Sequence, residues 1–331
     1  MLPTRELAQQ IFAQCEILKK HTNLISCLVS GGEDLEQQTI SLLNNPNIVV
    51  ATTGRLIEHL KLNIIDLSAL DILVLDEADR MLDMGFSDDV LAIANACNTG
   101  RQTLLFSATL NNKYLPSIVT KIMREPDELI ITAERAAPSN IHEQVMLSDD
   151  DTHKIKMLLW LLANETYEKA IVFTNSRDKA DTLCGSLTSN KQRAAVLHGE
   201  VASAKRKRVM TILREGHVKV LVATDVASRG LDISGIDLVV NFDMPKRADI
   251  YTHRIGRSGR GARKGLAISL ISPMEWNLKA SVERYLKRKF EPRAIADLKA
   301  KYTGPKNVKT SGQAATKKKK KRKQWETAKN E

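Results

Sequence analysis

Short apolar runs alternate with segments of helical period along most of the chain. Residues 24–30, 48–52, 72–75, 103–106 and 129–132 form one series of strand-like runs, and 145–147, 170–174, 194–197, 218–223, 238–242 and 266–271 form a second. Most are continuous stretches of Val, Ile and Leu rather than apolar/polar alternations. That pattern predicts strands buried on both faces of a parallel sheet. The segments between them carry helix signals. Ser87, Asp88 and Asp89 are placed to cap a helix bearing Val90, Leu91 and Ile93, and the acidic residues 149–151 open one with Ile155, Leu158 and Leu162. A further helix is expected over 275–289. Repeated strand–helix units predict a doubly wound α/β fold. Over 133–140 the pattern weakens into a polar stretch containing Pro138, after which the strand–helix series restarts. The expected division is a first domain over 1–135, a linker over 136–142, a second domain over 143–290 and a basic extension over 291–331.

Composition changes this picture little, but charge adds to it. The 331 residues, 43% hydrophobic and 27% charged, suffice for two full cores of a soluble protein. No run of 18 apolar residues occurs, and Arg5 and Glu6 stand where a signal peptide would be apolar. Cys15, Cys27, Cys97 and Cys184 show no metal or redox spacing. A cytoplasmic protein with free thiols is therefore expected. Of the net charge of +11, residues 304–331 hold +8, from ten Lys and Arg against two Glu. The KKKKKRK run at 317–323 reads as a disordered arm that contacts phosphates by releasing counterions, or else as a solubilising tail.

Candidate chemistry gathers at the ends of the apolar runs. Asp76 and Glu77 follow 72–75, and in an open parallel sheet ligands collect at the C-terminal ends of strands. One carboxylate there can hold Mg²⁺ through its water shell, and its neighbour can orient or deprotonate an attacking water. An Asp-Glu pair can also simply start a helix. Ser107-Ala108-Thr109 ends the run at 103–106 and is equally compatible with a plain turn. The string 253–260, HRIGRSGR, packs three arginines, a histidine and two glycines into eight residues. Planar guanidinium groups suit charge developing on a transferring phosphoryl group. Small and basic residues at other strand ends trace a route for a nucleic-acid backbone: Thr4 and Arg5, Gly31 and Gly32, Thr52 with Gly54 and Arg55, Thr174, Arg206 and Thr224. Aromatic residues make up 4% of the chain and none lies in these strings, which argues for gripping a backbone rather than stacking bases.

Six strings in fixed order, PTREL at 3–7, TTGR at 52–55, DEAD at 76–79, SAT at 107–109, ATDVASRGLD at 223–232 and HRIGRSGR at 253–260, make the chain resemble the DEAD-box RNA helicase family. The resemblance covers residues 3 to about 271. It implies two RecA-like doubly wound parallel-sheet domains followed by a basic disordered tail, with ATP and Mg²⁺ as cofactors and RNA as partner. It assigns Asp76 to the metal, Glu77 to the general base, and Asp79 to a bond with Ser107 or Thr109. Asp232 falls to the ribose, Arg257 and Arg260 to the γ-phosphate as fingers in cis, and His253 and Arg254 to the interdomain network. Thr224 is placed on an RNA phosphate, and Arg229 supports the interface. The spellings ATTGR, RMLDMGF, NFDMP and RKGLAISL, with the basic tail, resemble a bacterial branch that assists assembly of the large ribosomal subunit. Ribosomal RNA, and with it ribosomal proteins or assembly intermediates, is the partner this suggests.

Three departures stand out. Thr53 replaces the usual Pro, and Ser203 the usual Gln ahead of Arg206. The family's adenine-reading segment and its Gly-rich, Lys-bearing phosphate loop do not occur in the sequence. The first domain is accordingly expected to lack its N-terminal phosphate-loop strand, and the sequence reads as a truncated or misassigned reading frame of an ATP-dependent RNA helicase, inactive as given. The alternative is a non-catalytic RNA-binding or assembly protein that uses the second domain and the basic tail.

Overall fold

The computed structural model describes residues 1–107, 114–130, 140–225, 235–259 and 264–314, which fall into two compact units, residues 1–130 and 140–314.

The first unit runs α1 (Arg5–Leu18), β1 (Ser26–Val29), α2 (Leu35–Leu43), β2 (Ile48–Ala51), α3 (Thr53–Lys61), β3 (Ile72–Leu75), α4 (Ala78–Asp83), α5 (Ser87–Ala96), β4 (Gln102–Leu105) and α6 (Leu115–Ile122). Its strands form two parallel pairs, β1–β2 and β3–β4. Met1 and Leu2 lie between the pairs and join them. The Leu2 amide donates to the Ala51 carbonyl, the Asp76 amide donates to the Met1 carbonyl, and the Met1 ammonium donates to the Val74 carbonyl at 2.7 Å. One face is continuous across both pairs: Val29, Ala51, Leu73 and Leu75 pack against Met81, Ile93 and Ile118 from the helices. On the opposite face α1 covers only β1 and β2, through Leu2, Ala8 and Val50.

That leaves β3 half-covered and corrects the expectation of strands buried on both faces. Leu73 and Leu75 are buried, but Ile72 and Val74 are 52% and 36% exposed, and Phe106 beyond β4 is 54% exposed. Among the described residues β4 has no second neighbour, and a cleft of about 670 Å³ runs along that edge, lined on its far side by residues 123–129. Leu129 and Ile130, expected to start a strand, are exposed and unpaired as strand; residues 131 and 132 lie outside the described set. Helix α5 also differs from expectation. Ser87 is its first residue rather than its cap, and Phe86 occupies the cap position.

The second unit runs β5 (Ile141–Leu147), α7 (Asp151–Asn164), β6 (Lys169–Thr174), α8 (Arg177–Ser189), β7 (Ala194–Leu197), α9 (Ser203–Arg214), β8 (Val220–Thr224), β9 (Ile236–Asn241), α10 (Ala248–Ile255), β10 (Gly265–Ile271), α11 (Trp276–Leu286) and the short β11 (Glu291–Pro292). All seven strands are parallel, in the order β11-β5-β10-β9-β6-β8-β7. Here the continuous apolar runs behave as predicted. Residues 170–174 of β6 and all of β8 are buried on both faces, and most of β9 and β10 with them. Asp150 caps α7 by accepting from the His153 amide at 2.8 Å, and a left-handed Lys287 (φ 55°) ends α11 earlier than the pattern suggested.

The extension after 290 is not a disordered tail from its start. Residues 291–314 form a strap packed on the second unit. Glu291 and Pro292 pair with Gln144 and Val145 at the sheet edge, and the Arg293 amide donates to the Val145 carbonyl. Asp149 accepts from the Lys301 and Tyr302 amides, and these bonds hold its carboxyl below the usual carboxylate range. His153 accepts from the Asp149 amide through Nδ1, so Nε2 carries the proton it donates to the Leu298 carbonyl at 2.9 Å. Trp276 Nε1 donates to the Gly312 carbonyl.

Candidate functional site

Helix starts and glycine loops of the first unit meet at one end of its parallel strands. Thr4 caps α1 by accepting from the Leu7 amide at 3.3 Å, and Arg5 follows it. The Arg5 guanidinium lies flat against the loop after β1: a Cβ at Gly31 would stand 3.1 Å from Nη2, and one at Gly32 would overlap Nη1. Gly32 also has φ +83°, so only glycine satisfies both the backbone and the arginine. Thr52 ends β2 and starts α3, with its amide donating to the Val29 carbonyl. Gly54 is exposed in the first turn, where its nearest neighbour would be Phe86 at 3.8 Å. Arg55 donates to the Glu33 carbonyl and pairs with Glu58 at 3.2 Å. Thr4, Arg5, Gly32, Gly54 and Arg55 therefore bring helix N-termini and guanidinium groups to this end of the strands, with Thr52 itself buried there, an arrangement that suits a phosphate backbone.

The two carboxylates stand where the sequence placed them, just past β3. Asp76 is half-buried and accepts from the Glu77 amide at 2.9 Å. Glu77 has a left-handed backbone (φ 52°), an uncommon state for a residue with a side chain and one found at functional turns. Its carboxylate pairs with Arg80 at 2.6 Å. Asp79 is buried, and its carboxylate accepts from the Arg80 amide. Among the described residues no cluster of three His, Cys, Asp or Glu could ligate a metal directly. A single half-buried carboxylate at a strand end fits Mg²⁺ held through water, the mode that cation favours.

In the second unit Thr174 and Thr224 end adjacent strands in register, and Arg206 lies in α9. The Thr174 hydroxyl donates to the Ser176 carbonyl at 3.1 Å. Near the end of α10, Arg254 is only 1% exposed, and all five of its N–H groups are bound within this unit. Nε and Nη2 grip Asp225 at 2.6 and 2.8 Å, Nη2 also donates to Asn175, and Nη1 donates to Asn241 and to the Asp243 carbonyl. The Phe173 ring lies 5.0 Å below. Arg254, which the resemblance assigns to an interdomain network, is enclosed by partners of its own unit. Lys179 binds Asp243 and Asp151; burial works against its charge, but these carboxylates outweigh burial and raise its pKa. Arg257 and His253 are half-buried just beyond and within the last turn of α10. Gly259 (φ +67°) packs so closely that a Cβ would stand 2.7 Å from Ile141.

A DEAD/DEAH box helicase model matches residues 1–116, and a helicase conserved C-terminal domain model matches residues 153–262. The ATP-dependent RNA helicase SrmB of Escherichia coli (strain K12) is 39% identical over 310 residues, covering 94% of this chain and 70% of that protein. The chain belongs to the DEAD-box ATP-dependent RNA helicases. The DEAD-box ATP-dependent RNA helicase CshA of Bacillus subtilis (strain 168) is also 39% identical, over 87% of this chain but only 58% of its own length. Among solved structures, S. cerevisiae Dbp5 bound to RNA and ADP BeF3 superposes with a TM-score of 0.80 at 29% identity, covering 90% of this chain and 77% of that one. The DEAD-box family is one of ATP hydrolases that bind RNA, and the two units are α/β domains of its RecA-like kind.

Several DEAD-box motif residues lie outside the described set: Thr109, Arg229, Asp232, Arg260 and the basic run 317–323. Ser107 lies just past β4, and the start of α4 is tied to the same strand end by the bond from the Ala78 amide to the Phe106 carbonyl. The sequence reading missed Asp225, Asn175 and Asp243, which enclose Arg254. Asp225 sits inside the ATDVASRGLD string and Asp243 in NFDMP, so both were in view. Neither string says that the carboxylate of Asp225 and the backbone carbonyl of Asp243 converge on one arginine.

Proposed function

We propose that this chain acts in ATP-dependent remodelling of RNA duplexes, with ribosomal RNA in large-subunit assembly as the substrate and ribosomal proteins nearby. Family membership supports the activity class, and the branch-specific spellings support the ribosomal setting. The observation that carries the RNA reading is the arrangement of Thr4, Arg5, Gly32, Thr52, Gly54 and Arg55 at one end of the strands. Amides and guanidinium groups at strand ends bind phosphates without reading bases. Thr174, Arg206 and Thr224 serve the same end in the second unit, and the run 317–323 adds contacts that weaken with salt.

ATP with Mg²⁺ supplies the transferable phosphoryl group. Asp76 would hold the cation, and Glu77, once released from Arg80, would take a proton from the attacking water. Arg257 and Arg260 would offset charge developing on the phosphoryl oxygens, with His253 contributing to the same site. Asp232 would bind the ribose, and Asp79 would bond to Ser107 or Thr109. The sequence has no Gly-x-x-x-x-Gly-Lys string to position the phosphates, and positioning contributes about 7–11 kcal/mol in such reactions. A polypeptide of these 331 residues should therefore turn over ATP slowly. Joined to such a loop it should hydrolyse ATP in response to RNA, and Glu77→Gln or Arg257→Ala should cut that rate on the order of 10³-fold. Activity within about threefold of the parent in either variant removes that residue's role. The second reading, a non-catalytic RNA-binding assembly protein, is favoured by the complete sheet of the second unit, and gains if the joined protein binds RNA without turnover.

A further inference from the structure

The strap encloses a cavity that the helicase reading does not use. It measures about 350 Å³ and lies between the strap, β5, α7 and α11. Val145, Leu147, Met157, Ile295, Leu298 and Tyr302 make its walls apolar. Every charged residue that lines it is a cation: Lys279, Arg293 and Lys299. Lys279 and Arg293 are ion-paired to Glu283 and Glu165, which lie outside the lining. Lys299 is exposed and makes no ion pair among the described residues. An apolar hollow with a cationic rim is complementary to an apolar side chain flanked by carboxylates.

A nucleobase fits this hollow poorly. Its one indole is already engaged: the Lys279 ammonium sits 4.6 Å over the Trp276 ring, Tyr302 meets it edge-on at 6.4 Å, and the Gly304 backbone packs against its six-membered ring. The indole is therefore already committed to these contacts, and stacking on such a ring is the main source of base affinity in single-stranded RNA sites.

We infer that this cavity is a docking site for an acidic peptide segment of a partner protein, which inserts one or two large apolar side chains and sets a carboxylate on Lys299. The segment recognised has the form acid-acid-apolar-any-apolar-acid-acid.

The test is a fluorescence-anisotropy titration of the full 331-residue chain with labelled seven-residue peptides of that form, the apolar positions filled in turn by Leu, Ile, Met, Phe and Trp. At least one should bind saturably, tighter than about 100 μM, and the same peptide with Ala at both apolar positions should lose at least tenfold. Ala294→Trp, a change at an exposed lining position that plugs the hollow, should weaken binding at least tenfold. Lys299→Glu should weaken the acidic peptide three- to tenfold and leave a Gln-flanked version unchanged. Should Ala294→Trp fail to fold by denaturant titration, the Lys299→Glu contrast decides alone. Failure of every peptide to bind overturns the inference. So does equal binding to Lys299→Glu, or a single-stranded RNA that binds in the peptides' place and is weakened by Ala294→Trp.

Discussion

Strands β3 (ILVL) and β6 (KAIVFT) both centre on short apolar runs, yet they end in different environments. In β6, Ile171, Val172 and Phe173 are fully buried, inside a seven-stranded sheet covered on both faces. In β3, Ile72 and Val74 face outward from a two-stranded piece, because α1 reaches only β1 and β2. An apolar run specifies a strand; how many of its faces are covered depends on which neighbours pack against it. The difference has a functional side. The carboxylates Asp76 and Glu77 stand on the open sheet, whereas Arg254 and Arg257 stand on the closed one.

The largest expected effect is in the second unit. Arg254→Ala would remove a fully enclosed guanidinium together with its bonds to Asp225, Asn175, Asn241 and the Asp243 carbonyl, and should cost about 3–5 kcal/mol. A denaturant titration followed by far-ultraviolet circular dichroism measures it, and a loss below about 1 kcal/mol would mean that the enclosed network is not what holds α10 to the sheet. Next in size is the direct contrast between the sheets. Ile171→Ala should cost about 2–5 kcal/mol, by lost burial and the cavity left behind. The matching change in the first unit, Ile72→Ala, should stay within about 0.5 kcal/mol, as surface changes do. Equal costs for the two would show that β3 is covered in solution.

The smallest effect concerns the strap, and it depends on pH. Hydrogen bonds from the Tyr302 and Lys301 amides hold Asp149 below the usual carboxylate range, and bonds from His142 and Gln144 do the same for Glu291. A carboxyl whose folded-state pKa is depressed contributes stability above its unfolded value and loses it as pH falls through the folded one. Acidification below the ordinary carboxylate range should therefore loosen residues 291–303 while the seven-stranded sheet persists. Amide NMR spectra recorded down an acid series would show strap resonances shifting before those of β6 and β8. Simultaneous loss would tie the strap to the core.

Much of this was legible beforehand. The strand positions Ile48–Ala51, Ile72–Leu75 and Ala194–Leu197 follow from apolar runs, and Asp76, Glu77, Thr52 and Thr224 lie at strand ends as expected, because parallel sheets put chemistry there. Three things were not legible. The uncovered face of β3 depends on the reach of α1, which no local pattern records. The enclosure of Arg254 depends on Asn175, Asp225 and Asp243 converging from three separate loops. The order of residues 291–314 arises from long-range bonds to Asp149, His153 and Asn277, where local composition pointed to a tail.

Native-state hydrogen exchange of the 331-residue chain tests most directly the claim that the carboxylates stand on the weaker sheet. Amides of β6, β8 and β9 should exchange only through opening of the whole second unit. Those of β3 and β4 should exchange on the order of a hundredfold faster or more, equivalent to about 3 kcal/mol. Equal protection of β3 and β6 would contradict the account, because it would require a closed sheet beneath Asp76 and Glu77.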